Sequence, residues 1–375
     1  MRIWRRFDWS LFAAMLIFIG VGCVMIYSSY EVTLPARGES LMDNSVFRQG
    51  LFAGAGLMIY FAAALMDYHI LQPLDKWIYL FVIVILGITQ VVGNTAFGAQ
   101  SWIQIFAFDV QTSELSKVLM IVVLASYLGK DEGNLKGAGP LLLSALLLIP
   151  PLLLIYKQPD FGTALILLAT WLGMIYLAGV HWRYLALLVI GGLVAAPIAW
   201  FRLEDYMRDR VIMFLQPNQD PSGASYNVTQ ALIGIGSGGL WGKGLFHGTQ
   251  SQLHFLRVRH TDFIFSVLAE ELGFVGVLMF LCLFAFLILR ILHIAANAQN
   301  SHGRLVAAGV GIMLFVQAFI NVGMNANLLP VTGLPLPLVS YGGSSLITTL
   351  LALGLTQSVA IHSAEADNGT LQHGI

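Results

Sequence analysis

Long apolar runs, each bounded by charged residues, glycine or proline, recur along the whole chain. A membrane-spanning helix needs roughly 20 mostly apolar residues, so the chain has room for about ten such helices and their connections. The pattern predicts an all-α polytopic membrane protein whose transmembrane bundle, residues 1–375, is a single domain. The predicted spans are 10–28, 47–66, 74–92, 114–129, 138–156, 161–179, 184–201, 263–290, 304–329 and 345–362.

Composition agrees with a chain solvated by lipid. Hydrophobic residues make up 57% of it and charged residues 10%, against roughly 25% charged in an average soluble domain. The net charge of -1 and the scattered basic residues argue against a nucleic-acid partner. Cys23 and Cys282 lie in apolar runs and are predicted to be packing residues without a disulfide. The first apolar run is long for a signal peptide and lacks a good cleavage site, so we expect a retained helix.

Basic residues are unequally distributed between the two sets of short connections. One set carries Arg2, Arg5, Arg6, Lys76, Lys130, Lys136, Arg183, Arg290 and Arg304, and the other carries Arg37, Arg48 and Lys157. The positive-inside rule therefore places both termini in the cytoplasm. Nearly all unusual polar residues then fall in segments that face outward, namely 93–117, 157–163, 202–262 and 330–344.

Two polar motifs occur where predicted spans begin. Glu114 and Lys117 lie three residues apart at the start of the fourth span, so they share a helix face and can pair. Ser113 as an N-cap, with Glu114 in the first turn, is the simpler interpretation, but Lys117 is unfavourable at a helix N-terminus. Asp160, in the short connection 157–163, could simply cap the following helix.

The long extracytoplasmic loop, residues 202–262 between spans seven and eight, contains a glycine-rich stretch at 234–244. Its spacing matches a dinucleotide fingerprint, but no βαβ pattern surrounds it, and the Gly242-Lys243 dipeptide lacks the rest of a P-loop. We expect these glycines to let backbone N–H groups approach an anionic ligand. The irregular spacing of the histidines in this loop gives little support for a zinc site.

Asp262 lies immediately before the apolar run of the eighth span. A carboxylate held at the membrane interface is partly desolvated, which raises its pKa toward the working range of a general base. Capping of the helix by Thr261 or Asp262 is the alternative. Glu270 and Glu271, two turns further on, are predicted to face a cavity or a cation because adjacent carboxylates are costly in a span.

Three prolines and several glycines interrupt the chain between residues 330 and 345. A helix cannot continue through this segment, and irregular backbone at membrane depth is tolerated only inside protein or beside a water-filled cavity. The segment is therefore predicted to be a re-entrant, cavity-lining loop.

Taken together, these motifs resemble the SEDS family of bacterial shape, elongation, division and sporulation proteins over nearly the whole chain. The stretch 247–253 resembles the cell-elongation branch. Departures from the usual family pattern fall at Ser101, Thr112, Gln216 and Arg257. The matching motifs are Ser113-Glu-Leu-Ser-Lys, Gln158-Pro-Asp-Phe-Gly-Thr, Gly236-Ser-Gly-Gly, Gly242-Lys-Gly, His260-Thr-Asp-Phe-Ile-Phe, Ala269-Glu-Glu-Leu-Gly, Gly333-Leu-Pro-Leu-Pro and Ser340-Tyr-Gly-Gly-Ser-Ser.

The resemblance implies a SEDS fold of ten spans and a peptidoglycan glycosyltransferase that polymerises lipid II at the outer face of the bacterial cytoplasmic (inner) membrane. It also implies a class B penicillin-binding protein transpeptidase and other elongation-complex membrane proteins as partners. By position, Asp262 matches the essential aspartate of the family, and Glu114 and Lys117 match its functionally important pair.

The mechanistic hypothesis makes Asp262 the base that deprotonates the acceptor's GlcNAc 4-hydroxyl during an inverting attack on the donor. A divalent cation, Mg or Mn, could assist, and no organic cofactor is expected. The rival hypotheses are a lipid II flippase or transporter, disfavoured by the absence of two halves with matching broken helices, and a non-catalytic scaffold. The candidate substrate-binding residues are Glu114, Lys117, Asp160, Arg208, Arg210, Lys243 and Ser344.

Overall fold

A computed structural model describes residues 2–30, 44–96, 99–105, 108–130, 138–201, 205–215, 224–253, 255–256 and 259–363. Two of the departures from the family pattern, Gln216 and Arg257, lie outside these residues. So does His254, one of the histidines of the long loop. The elements are α1 (Arg2–Arg6), α2 (Trp9–Tyr30), α3 (Ser45–Leu65), a 3-10 helix (Tyr68–Leu71), α4 (Asp75–Val92), β1 (Asn94–Ala96), β2 (Ala99–Ile105), β3 (Phe108–Gln111), α5 (Thr112–Lys130), α6 (Ala138–Lys157), α7 (Phe161–Leu177), α8 (Trp182–Trp200), α9 (Asp205–Leu215), α10 (Ala224–Ser237), α11 (Thr249–Gln252), α12 (Ile264–Ala296), α13 (Ser301–Asn325) and α14 (Gly343–His362).

Each of the ten predicted spans coincides with a helix. Among the described residues, eight helices are long and apolar enough to cross a membrane, and α7 and α8 contain shorter apolar helical stretches. Helices dominate because hydrocarbon offers no partner to backbone N–H and C=O groups, which a helix satisfies internally. The prediction of an all-α polytopic membrane protein is confirmed. The eighth span, α12, runs to Ala296 and so extends past its predicted end at 290.

The centre of the bundle is formed by α5, α13 and α14, whose side chains are mostly buried. Helix α13 packs against α5, α7, α12 and α14, while α14 also packs closely along α3. Gly354 permits this last approach, because a Cβ atom there would lie 2.6 Å from the carbonyl oxygen of Tyr60. Small residues at helix contacts are the usual means of close packing in membranes.

A three-stranded antiparallel sheet, β1–β2–β3, connects α4 to α5. These strands were not predicted from the sequence. Trp102 of β2 pairs with both Asn94 of β1 and Gln111 of β3. The backbone N–H of Gln111 donates to the Ser344 hydroxyl at 2.9 Å, so the sheet is fixed to the beginning of α14.

The segment 202–262 is largely helical in its described part, because it contains α9, α10 and α11. Its glycine-rich stretch packs against a kink in α12 at Gly273, where φ is 67°. The N–H groups of Gly242, Lys243 and Gly244 donate to carbonyl oxygens of Gly238 at 2.8 Å and of α12 at 3.0 Å. The N–H groups of Lys243 and Gly244 dock the stretch onto a spanning helix, and that of Gly242 closes a turn within the stretch. The expectation that these three N–H groups serve an anionic ligand is therefore wrong.

Candidate active site

A cavity of about 340 Å³ lies where the sheet, the 159–160 turn, α9 and the segment before α14 meet. Both charges and neutral polar groups reach its wall, unlike the apolar surfaces of the spans. It is lined by Trp102, Gln111, Pro159, Asp160, Arg210, Thr261, Asp262, Thr332, Gly333, Pro335, Tyr341, Gly342, Ser344 and Ser345. The cavity thus gathers residues from four segments that are separate in sequence around Asp262.

The backbone that carries Asp262 is held from two sides. Asn321 and Asn325 of α13 donate to the Asp262 carbonyl oxygen at 3.1 Å and 2.9 Å. Ser340 donates to the Thr261 carbonyl oxygen at 2.6 Å, and the Tyr341 N–H donates to the His260 carbonyl oxygen at 2.9 Å. These bonds use the main chain of residues 260–262 and leave the Asp262 side chain in the cavity wall.

Burial of its carboxyl group raises the pKa of Asp262 to about 6, against a hydrogen bond from Thr261 and the charge of Arg210, which both lower it. A carboxylate with this pKa is mostly ionised at neutral pH yet more basic than a solvated aspartate. Phe263 occupies the N-cap of α12 and makes no side-chain capping bond, while the Asn325 amide oxygen of α13 accepts from the first-turn N–H of Ser266 at 3.3 Å. The alternative that Asp262 or Thr261 is a helix cap is therefore wrong.

Arg210, Asp160 and Ser344 join Asp262 in the cavity wall. The Arg210 guanidinium donates to the carbonyl oxygens of Val331 at 3.3 Å and Thr332 at 3.1 Å. Ser344 accepts from Gln111 as described above and donates to the Asp109 carbonyl oxygen at 3.2 Å.

The Asp160 carboxylate does more than cap a helix. One oxygen accepts from the Thr163 N–H at 3.1 Å, which is the predicted cap of α7. The other accepts from the Ser113 hydroxyl at 2.6 Å and from the Gln111 side-chain amide at 2.9 Å. Because α5 begins at Thr112, Ser113 lies inside the helix and the interpretation of Ser113 as its N-cap is wrong, although Glu114 does lie in the first turn. Asp160 instead ties the starts of α5 and α7 together beneath the cavity.

Glu114 and Lys117 form the predicted ion pair, with Nζ 2.7 Å from Oε1 and each side chain only 2% exposed. The described residues that line the cavity do not include either of them. Lys117 also donates to the Gln317 amide oxygen at 2.9 Å, and Gln317 donates to the Pro335 carbonyl oxygen at 2.9 Å. Because Pro335 lines the cavity, the pair reaches the cavity wall through Gln317.

The structure brings neither Lys243 nor Arg208 into the described wall of this cavity. Lys243 binds Glu270 at 2.8 Å, so the prediction that Glu270 faces a cation is confirmed. Glu271 accepts from Ser28 of α2 at 2.5 Å. Arg208 donates to the carbonyl oxygens of Trp200 at 3.1 Å and Phe201 at 2.9 Å, on the rim between α8 and α9.

The sequence matches the model of the FtsW, RodA and SpoVE family of cell cycle proteins over residues 8–365. The chain belongs to this family. It is 44% identical over 346 residues to the peptidoglycan glycosyltransferase MrdB of Escherichia coli K12, with 90% of this chain and 91% of that protein covered.

Two solved structures share the fold of this family member. One comes from a peptidoglycan synthase complex in which polymerisation and crosslinking are coordinated, with a TM-score of 0.80, 30% identity, and coverage of 96% of this chain and 99% of that one. The other is the crystal structure of the rod shape-determining protein RodA of Thermus thermophilus, with a TM-score of 0.70, 30% identity, and coverage of 96% and 98%. The SEDS resemblance is confirmed.

Sequence reasoning missed the residues of α13 that support the site. Gln317, Asn321 and Asn325 recur at intervals of four, so they share one helix face, and all three are buried. Amide side chains on one face of an otherwise apolar span are a recognisable signal of an internal polar surface. Gln111 carried no such signal, because its position depends on the sheet.

Proposed function

We propose that Asp262 is the general base of this peptidoglycan glycosyltransferase, which polymerises lipid II during rod-shape elongation. The observation that carries the proposal is the placement of Asp262 in a polar cavity, with its main chain fixed on both sides and its pKa raised to about 6. Geometry and proton affinity then both suit a residue that accepts a proton from a sugar hydroxyl.

In the proposed reaction, Asp262 takes the proton of the acceptor's GlcNAc 4-hydroxyl as that oxygen attacks the donor's anomeric carbon. The bond from the anomeric carbon to the pyrophosphate oxygen breaks, and the configuration inverts. Negative charge grows on the leaving pyrophosphate, and Arg210 is the cation in the described cavity wall that can stabilise it. Gln111, held by Asp160, and Ser344 are placed to hydrogen-bond the sugars.

Glu114 and Lys117 support the reaction indirectly in this proposal. Their ion pair is buried and its ammonium group already binds Gln317, which holds the Pro335 carbonyl group in the cavity wall. We assign them a positioning role for the segment 326–342. Lys243 and Arg208 are not assigned to substrate, because the described contacts of both lie outside the cavity.

The described residues do not fit a resident site for the predicted Mg or Mn ion. Among them, no group of three His, Cys, Asp or Glu side chains could hold a metal. The two Asp160 oxygens already accept three hydrogen bonds. No step of the mechanism depends on a divalent metal ion, and assistance by one stays a prediction.

The protein is a multi-pass membrane protein. We propose that it acts with a transpeptidase in a peptidoglycan synthase complex, because it shares its fold with a protein of such a complex. We propose that this partner is a class B penicillin-binding protein, joined by other elongation-complex membrane proteins. We also propose that both termini are cytoplasmic and that the Asp262 cavity opens on the outer face, as the distribution of basic residues favours.

An assay in proteoliposomes with labelled lipid II separates polymerase from flippase, because glycan polymer and transbilayer movement are read from one sample. We expect Asp262→Asn to slow polymer formation by about a hundredfold or more without affecting the melting temperature, and Asp209→Asn, an exposed neighbour of Arg210, to leave the rate unchanged. Transbilayer movement without polymer in the unaltered protein would favour the flippase. Undiminished polymer from D262N would contradict the assignment of the base. In a separate experiment in cells, intact cell shape with D262N would favour a scaffold.

A further inference from the structure

A second, apolar cavity lies beside the Asp262 cavity, and the proposed mechanism does not use it. Its volume is about 90 Å³, and its wall is almost wholly apolar. The wall includes Phe161 and Leu165 of α7, Met207 and Val211 of α9, Ile320 of α13 and the stretch 329–332.

The two cavities share part of their walls, because Arg210 and Thr332 line both. The Arg210 guanidinium therefore stands at the junction of a polar compartment and an apolar one. A ligand that fits both compartments has sugar on one side, an anionic group at the junction and a hydrocarbon chain on the other side.

The apolar cavity also reaches the lipid-facing surface of the bundle. Phe161 is 39% exposed and Leu165 is 37% exposed, although both contribute to its wall. Exposed apolar side chains on a spanning helix face hydrocarbon. A long chain could thus begin beside Arg210 and continue into the bilayer.

We propose that this cavity holds the first isoprene units of the donor's polyprenyl pyrophosphate, with Arg210 on the pyrophosphate. This inference rests on the proposed function. The donor is favoured over the acceptor because of the geometry of an inverting displacement. The attacking hydroxyl and the leaving pyrophosphate oxygen lie on opposite sides of the same anomeric carbon, so the donor's pyrophosphate is close to Asp262. The acceptor's own pyrophosphate lies beyond its disaccharide, away from the base.

Leu165 and Leu177 provide a matched pair for the test. Both lie on α7 with similar exposure, 37% and 40%, but only Leu165 belongs to the described cavity wall. A benzophenone amino acid is placed at either position in the full chain carrying D262N, in phosphatidylglycerol and phosphatidylethanolamine vesicles with head-group-labelled lipid II. Position 165 should capture about tenfold more label than position 177, since a chain in the cavity is buried against it.

Excess undecaprenyl pyrophosphate added before irradiation should prevent this capture and undecaprenol should not, since only the former carries the anionic group that Arg210 binds. Equal labelling at both positions, or competition by undecaprenol alone, would show ordinary contact with the bilayer and overturn the proposal. The crosslink is measured in D262N, where polymerisation is suppressed, so it reports only whether the donor's lipid chain occupies the cavity. Whether Asp262 is the base is reported separately, by polymer formation.

Leu165 and Leu177 also allow a kinetic test in the otherwise unaltered protein. Leu165→Trp fills the cavity and should weaken product inhibition by undecaprenyl pyrophosphate about tenfold, whereas Leu177→Trp should leave it unchanged. Equal inhibition of L165W and L177W, at matched melting temperatures, would contradict occupation of the cavity by the leaving group.

Discussion

At the scale of the residue, Asp262 is poised between two opposing effects. Burial of the carboxyl group disfavours its charged form, while the Thr261 hydrogen bond and the Arg210 charge favour it. The balance leaves the pKa at about 6, where the group is ionised at neutral pH and still a useful proton acceptor. Arg210 thus has two functions in this account, because it limits the pKa of the base and faces the leaving pyrophosphate.

Replacement of Arg210 should change the pH dependence of polymerisation in a defined direction. Removal of the positive charge in Arg210→Gln raises the pKa of Asp262, so the acid limb of kcat/KM moves from about 6 to higher pH. Arg210→Lys keeps the charge and should keep the limb near its original position, even if the rate falls. An unmoved limb in R210Q would show that the titrating group is not coupled to Arg210.

The importance of Asp262 could be predicted from the sequence, because a carboxylate directly before an apolar span is unusual there whatever the fold. The choice between Arg208 and Arg210 could not. The two residues are separated by one position on α9 and differ only in which neighbours the folded segment gives them. Lys117 and Lys243 were likewise predicted to bind substrate, but each binds a buried glutamate, and of these two partners only Glu114 could be expected from the sequence.

At the scale of the element, the contact between α5 and α13 links a buried ion pair to the cavity wall through hydrogen bonds. Lys117 connects Glu114 to Gln317, and Gln317 holds the Pro335 carbonyl group. The pair itself was predictable from its i, i+3 spacing on one helix. Its partner on α13 was not, because the register between two helices distant in sequence is decided by packing.

Removal of one member of this pair should be costly for stability. Lys117→Met leaves the Glu114 carboxylate buried without its cation, which typically destabilises a protein by about 3–5 kcal/mol. The double variant Glu114→Gln with Lys117→Met removes both charges and should recover much of that loss. Thermal unfolding in detergent measures both; a double variant as unstable as K117M would indicate that packing, and not the uncompensated charge, dominates.

The short sheet and the kink of α12 show what apolar periodicity does not reveal. Membrane spans can be predicted from the sequence because lipid requires long apolar helices. Strands β1 and β3 have only three and four residues, too few for a recognisable alternation of apolar and polar positions. The glycines at 238–244 were seen, but their purpose depends on the kink at Gly273, where a Cβ atom would lie 2.2 Å from the Gly242 nitrogen. Close backbone packing of two segments needs the folded structure.

At the scale of the whole molecule, we propose that the Asp262 cavity lies on the outer face and that the termini lie in the cytoplasm. The glycine-rich stretch near Trp241, whose side chain is 79% exposed, then lies outside, and the exposed Lys76 lies inside. The asymmetry of basic residues indicates this orientation, while the bundle geometry is compatible with either direction.

Cysteine labelling in intact cells tests the orientation. With Cys23→Ala and Cys282→Ala as background, Trp241→Cys should react with a membrane-impermeant maleimide, whereas Lys76→Cys should react only after the membrane is permeabilised. The reverse pattern would place the cavity on the cytoplasmic face and remove the basis for polymerisation outside the cell.

The pH–rate profile of lipid II polymerisation by D262N shows whether Asp262 is the base. The unaltered protein should show an acid limb near pH 6. D262N should be slower by about a hundredfold or more, the usual contribution of a general base, and its residual rate should lack that limb. A D262N profile that keeps the limb near 6 at a comparable rate would contradict the account and place the base elsewhere.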